Sequence, residues 1–138
     1  MQYKIKKISG DASYREFYKI KKNLKSTILV KANKKKYRNL IVYAAINKIL
    51  IKNKINAPKL IQEYFSNNMM EIENLGDLSF LKYIKNKKNK LHDYKKLIEL
   101  IIKLQKINFK KEIKFKNNKI KIYKYNSSEL KKETDLFF

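Results

Sequence analysis

The spacing of apolar and polar positions changes twice along the chain, and those changes predict its elements. The first third alternates loosely. Tyr3-Lys-Ile-Lys-Lys-Ile8 and Tyr14-Arg-Glu-Phe-Tyr-Lys-Ile20 read as strands flanking the small-residue turn Ser9-Gly-Asp-Ala-Ser13, a plausible hairpin. Lys21-Lys-Asn-Leu-Lys-Ser26 predicts a polar turn, and Thr27-Ile-Leu-Val-Lys31 a short apolar strand ending in lysine. From Tyr37 to Lys52 the period becomes helical: Leu40, Ala44 and Asn47 or Lys48 share one row, Ile41, Ala45 and Ile49 a second, with Tyr43, Ile46 and Leu50 beside them. So wide an apolar arc predicts packing on more than a narrow stripe. Asn56-Ala-Pro58 is expected to end the segment, because a residue before proline is pushed out of the helical region.

Two more strands are predicted at Lys59–Phe65 and Met69–Glu73, turning at Ser66-Asn-Asn68. Asn74-Leu-Gly-Asp77 breaks the second of them. A short helix from Leu78 to about Asn86 follows, then a longer one from about Asp93 to Ile107, where Tyr94, Leu97, Ile98, Ile101 and Leu104 recur at the cleanest helical spacing in the chain. Phe109–Tyr125 reads as a loop or a loose hairpin. Ser127 is a candidate N-cap for a last helix carrying Leu130, Leu136 and Phe137 on one face. The order is β-β-β-α-β-β, a flexible Glu73-Asn-Leu-Gly76 turn, then helices, which predicts an α+β fold. The last helix stops in an aromatic pair with no polar tail, so the chain is expected to be a piece of a longer protein. Apolar surface left bare on the last two helices is expected to make it poorly soluble.

Composition narrows the class. With 138 residues, 43% hydrophobic and 34% charged, the chain is neither collagen-like nor typical of disordered proteins, and it can form one modest core. It has no cysteine, which excludes disulfides and thiolate metal sites and suits a reducing cytoplasm. No apolar run approaches the ~18 residues of a membrane span, and no secretory signal follows Met1. Neither a membrane partner nor export is expected.

The formal net charge is +23, yet only Arg15 and Arg38 among the 35 basic residues are arginine. Lys, Ile, Asn and Tyr, whose codons are rich in A and T, fill 77 of 138 positions. A surface selected to grip phosphates favours the planar arginine fork. The charge is therefore weak evidence for a nucleic-acid function and predicts nonspecific attraction to polyanions at low salt.

Candidate chemistry sits in a few places. A small-residue turn between two strands can direct backbone N–H groups at a phosphate, and Gly10, Asp11, Ala12 and Ser13 form such a turn. By themselves these residues favour an ordinary hairpin turn. Lys31 ends an apolar strand, in a chain where lysines are common everywhere. His92, the single histidine, is followed directly by Asp93 and reads as a surface residue. No metal-ligand spacing of His, Cys, Asp and Glu occurs.

Four stretches together carry a family resemblance. Ser9-Gly-Asp-Ala-Ser-Tyr-Arg-Glu-Phe-Tyr-Lys19, Ile55-Asn-Ala-Pro-Lys-Leu60, Met70-Glu-Ile-Glu-Asn-Leu-Gly-Asp77 and Tyr125-Asn-Ser-Ser-Glu-Leu-Lys-Lys-Glu-Thr-Asp-Leu-Phe137 occur in the order and spacing of one family. They resemble motifs of the aminoglycoside phosphotransferase-like kinases, particularly the branch acting on N-acetylmuramate and N-acetylglucosamine. The resemblance implies a protein-kinase-like small lobe, a five-stranded antiparallel sheet plus one helix, over residues 1–73. A hinge would follow at 74–77, and the start of a truncated helical large lobe at 78–138. It implies ATP as cofactor, with Gly10, Asp11, Ala12 and Ser13 over the phosphates and Lys31 pairing with them. The backbone of Glu73, Asn74 and Leu75 would read adenine between apolar walls such as Ile28, Ile61 and Met70.

The small-molecule acceptor, the catalytic-loop Asp and Asn, and the Asp that holds Mg²⁺ would belong to the complete parent, beyond this chain. No catalytic or metal residue is expected here, and the fragment should be inactive alone. The chain departs from the branch at Lys31-Ala-Asn33, where Asp-Ala-Pro is usual. No acidic residue lies between Glu16 and Glu63, so the first helix offers Lys31 no partner. The alternatives are a small basic RNA- or ribosome-binding protein, which the charge and ten tyrosines suggest, and a pseudokinase-type nucleotide-binding scaffold.

Overall fold

The computed structural model describes residues 3–8, 15–33, 38–122, 127–128, 131 and 135. Among these the chain is α+β and separates into two compact units, residues 1–107 and 108–138. In the first unit, strands β1 (Tyr3–Ile8), β2 (Arg15–Lys22), β3 (Lys25–Ala32), β4 (Leu60–Tyr64) and β5 (Met69–Glu73) form one antiparallel sheet in the order β1-β2-β3-β5-β4. Helix α1 (Arg38–Lys52) falls between β3 and β4, and α2 (Phe80–Lys85) and α3 (Leu91–Gln105) follow β5. The second unit holds the hairpin of β6 (Glu112–Phe115) and β7 (Asn118–Lys121), which settles the loop-or-hairpin alternative for this stretch. The terminal helix falls mostly outside the described residues.

Register divides the sheet into two unlike faces. Directly opposed residues of antiparallel strands share a face, and neighbours along a strand alternate. Val30 opposes Phe17 and Met70, while Ile28 opposes Lys19 and Ile72, and Phe17 opposes Ile8. These residues therefore lie on one side, together with Arg15 and Ala32. Val30, Ala32, Met70 and Ile72 are buried there with Leu40, Ile41, Ala44 and Ala45 of α1. Helix α1 covers one end of this face, where Arg15 stacks over the Tyr43 ring at 5.2 Å.

The other face is mixed, with Ile5, Ile20 and Leu29 among polar side chains, and it holds the polar pairs. Lys7 pairs with Glu16 at 2.7 Å, the Tyr18 hydroxyl donates to Glu16 at 3.2 Å, and Thr27 donates to Glu71.

The strands run further than the sequence pattern predicts. The polar turn shrinks to Asn23 and Leu24, with Asn23 at φ 54°, because Lys21, Lys22, Lys25 and Ser26 continue the ladder. Asparagine tolerates that left-handed conformation better than most residues. Helix α1 ends by a different device from the one expected. Lys54 takes φ 58°, its N–H bonds the Ile51 carbonyl, and the Ile55 N–H bonds the Leu50 carbonyl, each at 3.0 Å. This pattern satisfies the last carbonyls and folds Ile55 back into the core before Pro58 is reached.

Candidate functional site

The free end of the apolar face, beyond α1, opens into a groove of about 560 Å³. Its floor is Ile8, Phe17, Ile28 and Ile72 from four strand positions, and its wall is the connection from Glu73 to Ser79. Pro58 closes a corner. This volume lies within the range of small-molecule sites, which combine apolar walls with a few polar groups.

The wall is shaped by Asn74. Its side-chain N–H donates to the Ser26 hydroxyl at 2.8 Å, and its Oδ1 accepts the Gly76 N–H at 3.0 Å. Gly76 takes φ 95°, and a Cβ there would meet no atom within 4 Å. Glycine is favoured at this position by backbone conformation, not by crowding. The Glu73 N–H is spent on the Lys59 carbonyl at 2.9 Å. The Leu75 N–H and C=O make no hydrogen bond among the described residues, and its side chain is exposed. Backbone groups at Leu75 are thus open to a ligand beside an apolar slot.

The expected site residues are only partly brought together. Gly10, Asp11, Ala12 and Ser13 lie outside the described residues. Glu73, Asn74 and Leu75 all line the groove. Of the expected walls, Ile28 lines it, Met70 is fully buried in the core behind it, and Ile61 stands exposed at the irregular start of the edge strand β4.

Lys31 does not reach the groove. It opposes Glu16 and Met69, so it belongs to the mixed face with Lys7 and Tyr18. There its charge helps, after hydrogen bonds from Lys7 and Tyr18, to hold the Glu16 carboxyl below its ordinary range. The reason is register. Ile28-Leu29-Val30 is apolar on both faces, so composition left the parity of Lys31 open, and pairing with β5 sets it.

Among the cations on this side, Lys19 is the one tied to the groove wall. It follows Phe17 by two residues and forms an ion pair of 2.6 Å with Asp77, which lines the groove. The Lys19 side chain is only 18% exposed, against 77% for Asp77. The Lys19 hydrogen bond first, and the nearby charges of Lys19, Lys21 and Lys82 after it, lower the pKa of Asp77. The Phe17–Lys19 spacing was the available sequence signal. Lys19 also stands at the last basic position of the first resemblance motif.

His92 is exposed at the start of α3. Among the described residues no group of three His, Cys, Asp or Glu side chains could hold a metal ion, and no helix is long and apolar enough to cross a membrane. No protein-family model matches the sequence, no curated protein matches it, and no solved structure matches the fold.

Proposed function

We propose that residues 1–73 are the nucleotide-binding lobe, and 74–77 the hinge, of a small-molecule phosphotransferase of the aminoglycoside phosphotransferase-like kind, with an amino sugar as acceptor in the complete enzyme. The observation that carries this reading is the groove. A flat apolar floor of Ile8, Phe17, Ile28 and Ile72 meets a connection whose Leu75 backbone is open to hydrogen bonding, an arrangement suited to a planar base. A five-stranded antiparallel sheet with one helix between its third and fourth strands fits the small lobe that the motifs suggest. The lobe would bind and orient ATP. The base would lie in the groove, and the motif resemblance gives the phosphates to residues 10–13.

A chain of charge +23 attracts any polyanion, so ATP binding alone is a poor test. Adenosine carries no charge. The reading expects adenosine to bind saturably, with an affinity nearly independent of salt, and to compete with ATP. It also expects Ile28→Trp, which fills the floor, to abolish adenosine binding without unfolding the protein. ATP binding that collapses steeply with salt and is never displaced by adenosine would reduce the interaction to polyelectrolyte attraction. Salt-resistant, sequence-selective RNA binding in the same assay would favour the basic RNA-binding alternative.

A further inference from the structure

The connection after β5 is tied to the sheet at two separate points. Asn74 bonds Ser26 at the end of β3, and Asp77 pairs with Lys19 of β2, 58 residues away in sequence. Between the ties lie Leu75, whose backbone makes no hydrogen bond among the described residues, and Gly76, whose positive φ turns the chain. Beyond them lie Leu78 and Ser79, also groove-lining. Lys19 projects from the floor side of the groove, and Asp77 belongs to its wall. The pair therefore joins the strand that carries Phe17 of the floor to the wall.

Other features of this pair set it apart from an ordinary surface ion pair. The long stem of Lys19 is mostly covered, which leaves its ammonium few alternative positions. Lys6 and Lys19 oppose one another directly on this face, as do Lys4 and Lys21. Like charges so placed repel, and Asp77 is the carboxylate that relieves this ladder.

We propose that Lys19 is a positioning residue that clips the segment 75–79 to the strand carrying Phe17 of the groove floor and so holds the outer wall against a bound ligand. The clip is a property of the free protein, whereas its effect on a nucleotide rests on the function proposed above.

The test uses the full 138-residue chain. Backbone 15N order parameters of the free protein read the wall directly, and the dissociation rate of a fluorescent ATP analogue reads its effect on a ligand. In Lys19→Met, the order parameters at 75–79 should fall while those of β3 and β5 keep their wild-type values. The analogue should leave about 2- to 5-fold faster, in keeping with a partly exposed ion pair. Lys19→Arg should restore both. Asp77→Asn, at an exposed position, should reproduce the Met phenotype even if Lys19→Met folds poorly. Lys31→Met, on the opposite face, should change neither reading.

Wild-type order parameters at 75–79 in both Lys19→Met and Asp77→Asn would overturn the clip. A more mobile wall with an unchanged dissociation rate would overturn its role toward the ligand. If the analogue fails to bind the wild-type protein, the nucleotide reading falls, and the order parameters alone still decide the clip.

Discussion

Helices α1 and α3 are each 15 residues long, yet they use their apolar residues in opposite ways. In α1 the apolar residues are spread over a wide arc, and Leu40, Ile41, Ala44 and Ala45 are buried against the sheet. In α3 the helical spacing is far cleaner, yet Tyr94, Ile98, Ile101 and Leu104 are all exposed and Asp93 is its one buried residue. Periodicity reports which face a helix is able to bury. What covers that face is decided by tertiary structure, and for α1 it is Val30 and Met70 of the sheet. The difference also separates two kinds of attachment: α1 buries apolar side chains, whereas α3 joins α2 through the Phe80–Tyr94 ring contact and the polar partners of Asp93.

The largest effect should come from the covered helix. Leu40 is 0% exposed, and Leu40→Ala should cost about 2–5 kcal/mol in urea unfolding, combining lost transfer energy with a cavity. Ile98 is 55% exposed, and Ile98→Ala should change stability by no more than about 0.5 kcal/mol. Equal losses at the two positions would break the comparison. An Ile98→Ala loss that grows with protein concentration would mean that the α3 face is covered by association in solution.

A smaller effect should come from the polar member of α1. Asn47 is buried, and its side-chain N–H donates to the Pro58 carbonyl at 3.0 Å, tying the helix to the chain entering β4. Asn47→Ala leaves that carbonyl without its partner, a loss of about 1–3 kcal/mol. Alanine is the better helix former by up to about 0.7 kcal/mol, which works against the loss. A net destabilisation therefore isolates the tertiary bond, and a neutral or stabilised variant would show that water replaces the amide.

The same contrast bears on what could be read in advance. The succession of strands along the chain, α1 and the break after β5 are legible because each depends on local features: short apolar runs, a helical period, and Gly76 after an apolar strand. The face of Lys31 is not legible, because it depends on which residue of β5 meets Val30, a non-local choice absent from a continuous apolar run. Lys19 was legible in half. Its spacing from Phe17 puts both on one face, but its partner Asp77 lies across the sheet and the connection. Asn47 fell on a predicted row as an exception to it. Nothing local to it shows that Pro58 would present a carbonyl to the helix.

The smallest effect should come from the polar attachment of α3, and its mark is pH. Asp93, in the first turn, accepts from Lys87 Nζ at 2.8 Å and from the Tyr83 hydroxyl at 3.3 Å, while Lys87 also lies 3.9 Å from the centroid of the Tyr83 ring. The Lys87 hydrogen bond holds the Asp93 carboxyl below its ordinary value of 3.8. The Asp93 hydrogen bond in turn raises Lys87 above 10.5. A carboxyl with a lowered folded pKa stabilises the fold above its unfolded value and loses that contribution as pH falls through the folded one. A lysine with a raised pKa contributes below its unfolded value and loses it as pH rises through the folded one. Asp93→Asn should therefore melt a few degrees below wild type, with a constant gap between about pH 5 and 9. The gap should close as pH drops below 3.8, and again as it climbs beyond 10.5. Glu16 and Asp77, also lowered by lysine partners, weaken both proteins equally in acid, so the difference between the two melting curves isolates Asp93. A gap that does not narrow at all as pH falls below 3.8 would mean that the carboxyl holds the α2–α3 corner by shape and hydrogen bonding in either protonation state, and that α3 needs no charge to stay attached.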